Sequence, residues 1–199
     1  MKLNFNRFNA INGNLLTKQD KINLVINKYI TNSFLNNKTN GQLGCAISHF
    51  KNLEENKNIN KHLIVFEDDA IINSDFNNNF DIFLKTLPDD WDMFYLYINN
   101  FYLNEIQEKR GRKQRLKINE YVYKPIAPIG LMCYGVNKYS ISKILHLLKP
   151  LDNTPIDNKL SILIDEGKIN AYTPPKNIIE HPTVYYSNTF QRHMSRNIL

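Results

Sequence analysis

A run of four apolar residues that leads into three acidic ones constrains the fold of this chain most strongly. Leu63–Phe66 shows no polar alternation, which predicts a strand buried on both faces of a parallel or mixed sheet with helices on each side. Glu67, Asp68 and Asp69 follow directly. Open α/β sheets bind ligands beyond the carboxyl ends of their strands, and clustered carboxylates repel one another unless a cation joins them. The pattern therefore indicates either a divalent-metal site or an acidic turn before the next helix.

The composition is that of a folded protein with one core. The chain has 199 residues, 42% of them hydrophobic, which predicts one globular domain. Its two cysteines, Cys45 and Cys133, show no CxxC or Cys/His spacing, so we expect neither a zinc site nor a disulfide and expect both thiols to be buried and reduced.

The formal charge of +6 suits an anionic ligand such as a phosphorylated donor, and equally nucleic acid or a membrane surface. Residues 109–117 carry six of the basic side chains. Most such runs are solvated loops, with a phosphate or an acidic acceptor as the alternative contact. Nucleic acid is the least favoured partner, because no recognised binding motif accompanies the run.

The first residues lack an apolar signal core, and no segment approaches 18 uninterrupted apolar residues. This pattern predicts a soluble, cytoplasmic protein without a membrane span.

Periodicity predicts the order of helices and strands. Thr17 and Asp20 form a capping-box pattern before one helical stripe, and residues 41–55 carry a second stripe. Residues 74–87 predict a further helix and residues 91–98 another strand. With the strand before the acidic triplet, these make a β-α-β unit. The predicted fold class is therefore α/β, with helices flanking the sheet of a single domain.

The second half of the chain gives shorter signals. Strands or extended segments are predicted at 121–124, 129–136, 169–172 and 177–180, with a basic loop at about 99–119 and a tail at 188–199 that is expected to fray.

Three further side chains are candidates for function. Ser48 and His49 fall beside the apolar stripe of the helix at 41–55, where a lone histidine is more often structural than a ligand. Thr154 is a predicted cap that opens a later helix and places Asp157 in its first turn. A carboxylate there is favoured by the helix dipole, so simple helix stabilisation is the competing interpretation.

Two stretches resemble a known family. Gly41–Phe50 has the sequence Gly-Gln-Leu-Gly-Cys-Ala-Ile-Ser-His-Phe, and residues 63–70 end in Glu-Asp-Asp-Ala. Together they resemble the Gly-x-x-Gly-Cys-x-x-Ser-His helix and the Glu-Asp-Asp strand end of glycosyltransferase family 25, which holds bacterial lipooligosaccharide glycosyltransferases and collagen galactosyltransferases. Weaker similarity extends from Phe5 to about Ser187 and includes residues 90–92, 130–136 and 155–157.

The resemblance implies a GT-A-like fold, a Rossmann-type mixed sheet flanked by helices in a single domain, and a metal-dependent hexosyltransferase. Asp68 and Asp69 would bind Mn²⁺ or a similar cation, and Glu67, Ser48 and His49 would help to hold the nucleotide-sugar donor, most simply UDP-linked. The family inverts the anomeric centre, so a general base must activate a glycan or protein hydroxyl. Asp157 is the candidate.

The resemblance lacks one element, because the family's usual first strand, of the type Val-Ile-Asn-Leu, has no counterpart here. We therefore expect weak donor affinity, or a partner chain such as a second copy that covers the exposed sheet edge. The alternative function is a shortened, non-catalytic relative that binds a sugar or a protein.

Overall fold

The computed structural model describes residues 5–99, 115–182, 184–187 and 192–195. The helices are α1 (Lys18–Ile26), α2 (Asn32–Asn37), α3 (Asn40–Asn56), α4 (Phe76–Thr86), α5 (Ile141–Leu148) and α6 (Ile156–Asp165). The strands are β1 (Leu63–Phe66), β2 (Ile71–Ile72), β3 (Met93–Tyr95), β4 (Leu116–Lys117), β5 (Tyr123–Lys124), β6 (Cys133–Val136), β7 (Ala171–Tyr172), β8 (Ile179–Glu180), β9 (Val184–Ser187) and β10 (Arg192–Ser195).

The central sheet is mixed and has the order β1-β6-β3-β7. Strand β6 lies between β1 and β3 and runs antiparallel to both, while β7 runs parallel to β3. Strands β1 and β3 are therefore parallel to each other, with α4 as the helix that connects them. The α/β class, the mixed sheet and the flanking helices of the predicted single domain are confirmed.

The sheet separates two apolar layers, because successive side chains of a strand point to opposite faces. On one face Met93 and Tyr95 pack with α2, α3, α5 and α6. On the other face Phe94 packs with the phenylalanines of α4. Gly135 of β6 lies beneath the Phe94 ring, since a Cβ atom there would come within 2.1 Å of that ring. This glycine therefore serves aromatic packing within the core.

Strand β1 differs from its prediction. It lies at one edge of the four-stranded sheet, and Ile64 is 38% exposed, so burial on both faces was wrong. The apolar run alone did not distinguish an edge strand from a central one. A second correction concerns the start of α6, where the capping position is Pro155 without a side-chain cap and not Thr154.

The basic run at 109–117 falls mostly outside the described residues. Of its described members, Arg115 donates to the carbonyl groups of Pro174 and Pro175. At the other end of the chain, β9 pairs antiparallel with β10, a strand that lies within the tail predicted at 188–199. No helix in the described ranges is both long and apolar enough to cross a bilayer.

The segment before α1 packs closely against α3. The Ser48 hydroxyl donates to the Gly44 carbonyl at 2.7 Å and accepts the Ile11 backbone N–H at 2.8 Å. A Cβ atom at Gly44 would stand 2.5 Å from the Ile11 carbonyl oxygen and 2.7 Å from the Gly13 nitrogen. Gly44 is therefore required for backbone contact between the two segments.

We expect Gly44→Ala to lower the free energy of unfolding by about 1–3 kcal/mol, because the new methyl group must displace backbone atoms. Helix propensity alone predicts the opposite sign, a gain of about 1 kcal/mol. Urea denaturation measures the change, with the exposed Glu55→Ala on the same helix as control, expected within about 0.5 kcal/mol of the parent. A stabilised Gly44→Ala variant would show that the two segments are not in contact.

An ionic cluster on Glu54 connects α3 to the ends of α1 and α5. Glu54 accepts hydrogen bonds from Tyr29 and Lys51 and pairs with Lys149. Lys149 also lies over the Tyr29 ring, 3.6 Å from its centroid. Burial of Glu54 raises its pKa, but the bonds from Lys149, Tyr29 and Lys51 outweigh that effect and lower the pKa to about 2.

Glu54 should make the fold sensitive to acid. Its folded-state pKa lies below the ordinary value of 4.5, so its stabilisation is complete above about pH 4.5 and is lost as the pH falls towards 2. Because the side chain is a quarter exposed, we expect a contribution on the order of 1–3 kcal/mol. Urea denaturation at about pH 6 and about pH 3 should show a smaller pH effect in Glu54→Gln than in the parent. An equal loss of unfolding free energy between the two pH values in the parent and in Glu54→Gln would contradict this prediction.

Candidate active site

Glu67 extends the pairing of β1 by one residue, since its backbone N–H donates to the Met132 carbonyl at 2.8 Å. It follows Phe66, which packs on the α4 side of the sheet, so strand alternation directs Glu67 to the opposite side, towards α3. There its Oε1 lies 3.1 Å from Nε2 of His49. Glu67 thus connects the carboxyl end of β1 to α3.

The His49 ring is held at both nitrogens. Its Nδ1 lies 2.9 Å from the Tyr134 hydroxyl, and its Nε2 faces Glu67, which as a carboxylate can only accept. The proton on Nε2 therefore points at Glu67. Burial lowers the pKa of His49, but Tyr134, Cys45 and Glu67 together raise it well above its usual value.

Asp69 lies deeper than Asp68, which is exposed. One oxygen, Oδ2, is 3.0 Å from Nε2 of His181. The other, Oδ1, is buried and accepts no hydrogen bond from any described residue. Burial and then the charge of Glu67 raise the pKa of Asp69, and His181 opposes this shift.

His181 lies after β8, and its ring faces two acceptors. Its Nδ1 is 2.8 Å from the Pro182 carbonyl, while Nε2 meets Asp69. The contact between Asp69 and His181 therefore needs a proton on Nε2 or on the carboxyl group. The ring also stacks near Tyr97, at 6.0 Å between centroids.

Asp157 lies in the first turn of α6, as predicted, and is held by backbone groups. Its Oδ1 accepts the Asn158 N–H at 2.9 Å, and its Oδ2 accepts the Gly130 N–H at 3.3 Å. Gly130 has a φ of +94°, in the region that glycine favours. Burial raises the pKa of Asp157, the two backbone bonds lower it, and Glu67 adds a smaller upward shift. The segment 130–132 thus contacts the Asp157 carboxylate at Gly130 and the backbone of Glu67 at Met132.

Two tyrosines lie side by side on adjacent strands, near Asp157 and His49. Tyr95 and Tyr134 are directly opposite in the β3–β6 register and are almost fully buried. The Tyr95 hydroxyl has no hydrogen-bond partner within the described part of the chain. Burial raises its pKa, and the charges of Asp157 and Tyr134 add to that shift.

Comparison with known proteins identifies the family to which this chain is related. A family model described as glycosyltransferase family 25, LPS biosynthesis protein, matches residues 1–160. The chain belongs to this family. A curated relative is procollagen galactosyltransferase 1-A of Xenopus laevis, 25% identical over 139 residues. The match covers 68% of this chain but 22% of the relative, so the chain spans about a fifth of that protein's length.

The predicted site residues of this family 25 chain do not all converge. Glu67 and His49 are in contact, and the charge of Glu67 raises the pKa of both Asp69 and Asp157. Asp68 is exposed. Ser48, predicted to hold the donor, uses its hydroxyl for the contact between α3 and the segment before α1.

Sequence reasoning missed three neighbours of the site. Tyr134 and His181 carried no local signal, because their partners are distant along the chain. Cys45 could have been found. It precedes His49 by four residues, the spacing that places two side chains on one helix face, so the stated absence of a Cys/His spacing was wrong. Both cysteines are free, and Cys45 is half-buried where full burial was expected.

Proposed function

We propose that this chain is a catalytic glycosyltransferase domain that transfers a hexose from a nucleotide sugar, UDP-linked, to a hydroxyl group of a glycan or a protein. The observation that carries the proposal is that Glu67, directly after β1, lies close enough to Asp69 and Asp157 for its charge to raise the pKa of both carboxyl groups. Ligands of open α/β sheets bind at such strand ends. Family membership and a relative named as a galactosyltransferase support the same activity.

The proposal includes a divalent cation, Mn²⁺ or a similar ion, held by Asp68 and Asp69. The buried Asp69 Oδ1 supports this assignment, because it accepts no hydrogen bond from the residues that the structure describes and a carboxylate oxygen is a suitable ligand for a hard cation. When bound, the ion would neutralise charge on the diphosphate leaving group. Exposed Asp68 is the second oxygen ligand, and Glu67 and His49 line the donor side.

Asp157 is the proposed general base of an inverting transfer. It would accept the proton from the acceptor hydroxyl, on the side of the sugar opposite the departing diphosphate. Burial raises its pKa, which makes the carboxylate a stronger base than an exposed aspartate. The Asn158 and Gly130 N–H groups orient it without removing the charge.

A screen of nucleotide sugars tests the function. The full chain is incubated with each donor and Mn²⁺, and released nucleotide diphosphate is measured with and without a chelator. We expect release from a UDP-hexose that depends on the metal and increases with a hydroxyl acceptor. Binding of UDP without any turnover would instead favour a non-catalytic sugar-binding role.

A further inference from the structure

We propose that Cys45, His49 and Glu67 form a second metal site, specific for a soft ion such as Zn²⁺ and distinct from the acidic pair assigned to Mn²⁺. The site joins one turn of α3 to the end of β1. It does not depend on the proposed transferase function.

The three ligand atoms are already grouped. One atom from each side chain lies within 4.8 Å of the others, and the Nε2–Oε1 pair of His49 and Glu67 is 3.1 Å apart. Two ligands of one tetrahedral Zn²⁺ stand about 3.3–3.6 Å apart, given metal–ligand bonds of about 2.0–2.3 Å. Small side-chain rotations therefore suffice for all three to reach one ion.

Tyr134 holds the histidine in the orientation that a ligand needs. Its hydroxyl meets Nδ1 at 2.9 Å and can accept the Nδ1 proton. The ion would then displace the proton that Nε2 otherwise directs at Glu67, and that proton is released to solvent. Metal-binding histidines typically have such a partner on the other ring nitrogen, where it fixes the ring. Tyr134 is itself 2% exposed and is fixed in β6 between Val65 and Tyr95, so this support is rigid.

Charge and ligand type select the ion. A thiolate and a carboxylate together neutralise a divalent cation, so the bound site adds no net charge to a partly buried position. Thiolate and imidazole prefer Zn²⁺, whereas sites made only of oxygen atoms suit Mn²⁺ and Mg²⁺. The two sites should therefore bind different ions. Three protein ligands leave a fourth tetrahedral position open for water or for a ligand oxygen.

Cobalt(II) binding to the full, metal-free chain tests the site, because Co²⁺ adopts the same geometry and its bond to a thiolate absorbs in the near ultraviolet. We expect this absorption at one equivalent of Co²⁺, its loss when Zn²⁺ is added, and no effect of Mn²⁺. Cys45→Ser should abolish it, and Cys133→Ala, which removes the other thiol, should retain it. Tyr134→Phe should weaken Zn²⁺ binding by about 10–100-fold.

Either of two results would overturn the proposal. No thiolate–cobalt absorption, or absorption that persists in Cys45→Ser, would leave the three side chains as a hydrogen-bonded cluster only. Circular dichroism checks the fold of each variant. Asp69→Ala should retain the cobalt spectrum, so failure of the Zn²⁺ site and failure of the Mn²⁺-dependent transferase are separate results.

Discussion

Asp157→Asn is expected to reduce sugar transfer by at least about 100-fold while donor affinity and melting temperature stay nearly unchanged. Asparagine has the same shape, and its oxygen can still accept one of the two backbone bonds, from Asn158 or Gly130. It cannot accept a proton from the acceptor hydroxyl. General-base catalysis typically contributes about 100–10,000-fold, which sets the size of the expected loss. Steady-state rates and thermal unfolding measure the two effects.

Asp165→Asn is the matched control. Asp165 ends the same helix, and its carboxylate also accepts a backbone N–H, that of Ala127 at 3.4 Å. The control therefore perturbs the same helix without removing the proposed base. If Asp157 acts only on the helix dipole, its replacement should cost about 0.3–1 kcal/mol of stability. A variant that melts earlier yet transfers sugar at the parent rate would assign Asp157 to helix stabilisation.

The elements that the sequence predicted well are those defined by local patterns. The capping box of Thr17 and Asp20 is present at the start of α1, and α3 and α4 coincide closely with their apolar stripes. These features depend on neighbours three or four residues apart, which a single sequence displays directly. The position of β1 at the sheet edge depends on strand order, which local periodicity does not contain.

The site was predictable only in part, for the same reason. The acidic strand end indicated ligand chemistry, but the contacts of Glu67 with His49 and of Asp69 with His181 join segments far apart in sequence. Tyr134 reaches His49 only through the β1–β6 register. Such contacts follow from the pairing of strands, and a shift of one residue would turn each side chain to the other face.

A position within a family-like motif also did not show whether a residue has a catalytic or a structural role. Asp92 belongs to a stretch that resembles the family, yet it is only 7% exposed, and its carboxylate makes structural contacts. It accepts the Ser140 hydroxyl at 2.6 Å and the Asn170 N–H at 2.8 Å, and pairs with Lys143. These bonds tie β3 to α5 and to the start of β7, so Asp92 stabilises the sheet. Family resemblance alone gave no means of recognising this role.

Asp69→Ala and Asp68→Ala are each expected to lose Mn²⁺-dependent binding of UDP while the fold survives. Removing an outer partner of a metal ligand commonly costs about 10–100-fold in affinity, so loss of a ligand itself should cost at least about 100-fold. Calorimetry with UDP, in the presence and absence of Mn²⁺, measures the change. Asp75→Ala, which removes an exposed carboxylate six residues beyond Asp69, is the control.

Asp69 needs a second comparison, because it also pairs with His181. If the Asp69 carboxylate binds the metal ion, His181→Ala should keep metal-dependent UDP binding, since Asp68 and Asp69 remain in place. If Asp69 only pairs with His181, Asp69→Ala and His181→Ala should lower the free energy of unfolding by similar amounts. Mn²⁺ should then still enhance UDP binding in both variants. The buried Oδ1, which has no donor among the described residues, favours the first result, because an ion pair through Oδ2 leaves that oxygen available for a cation.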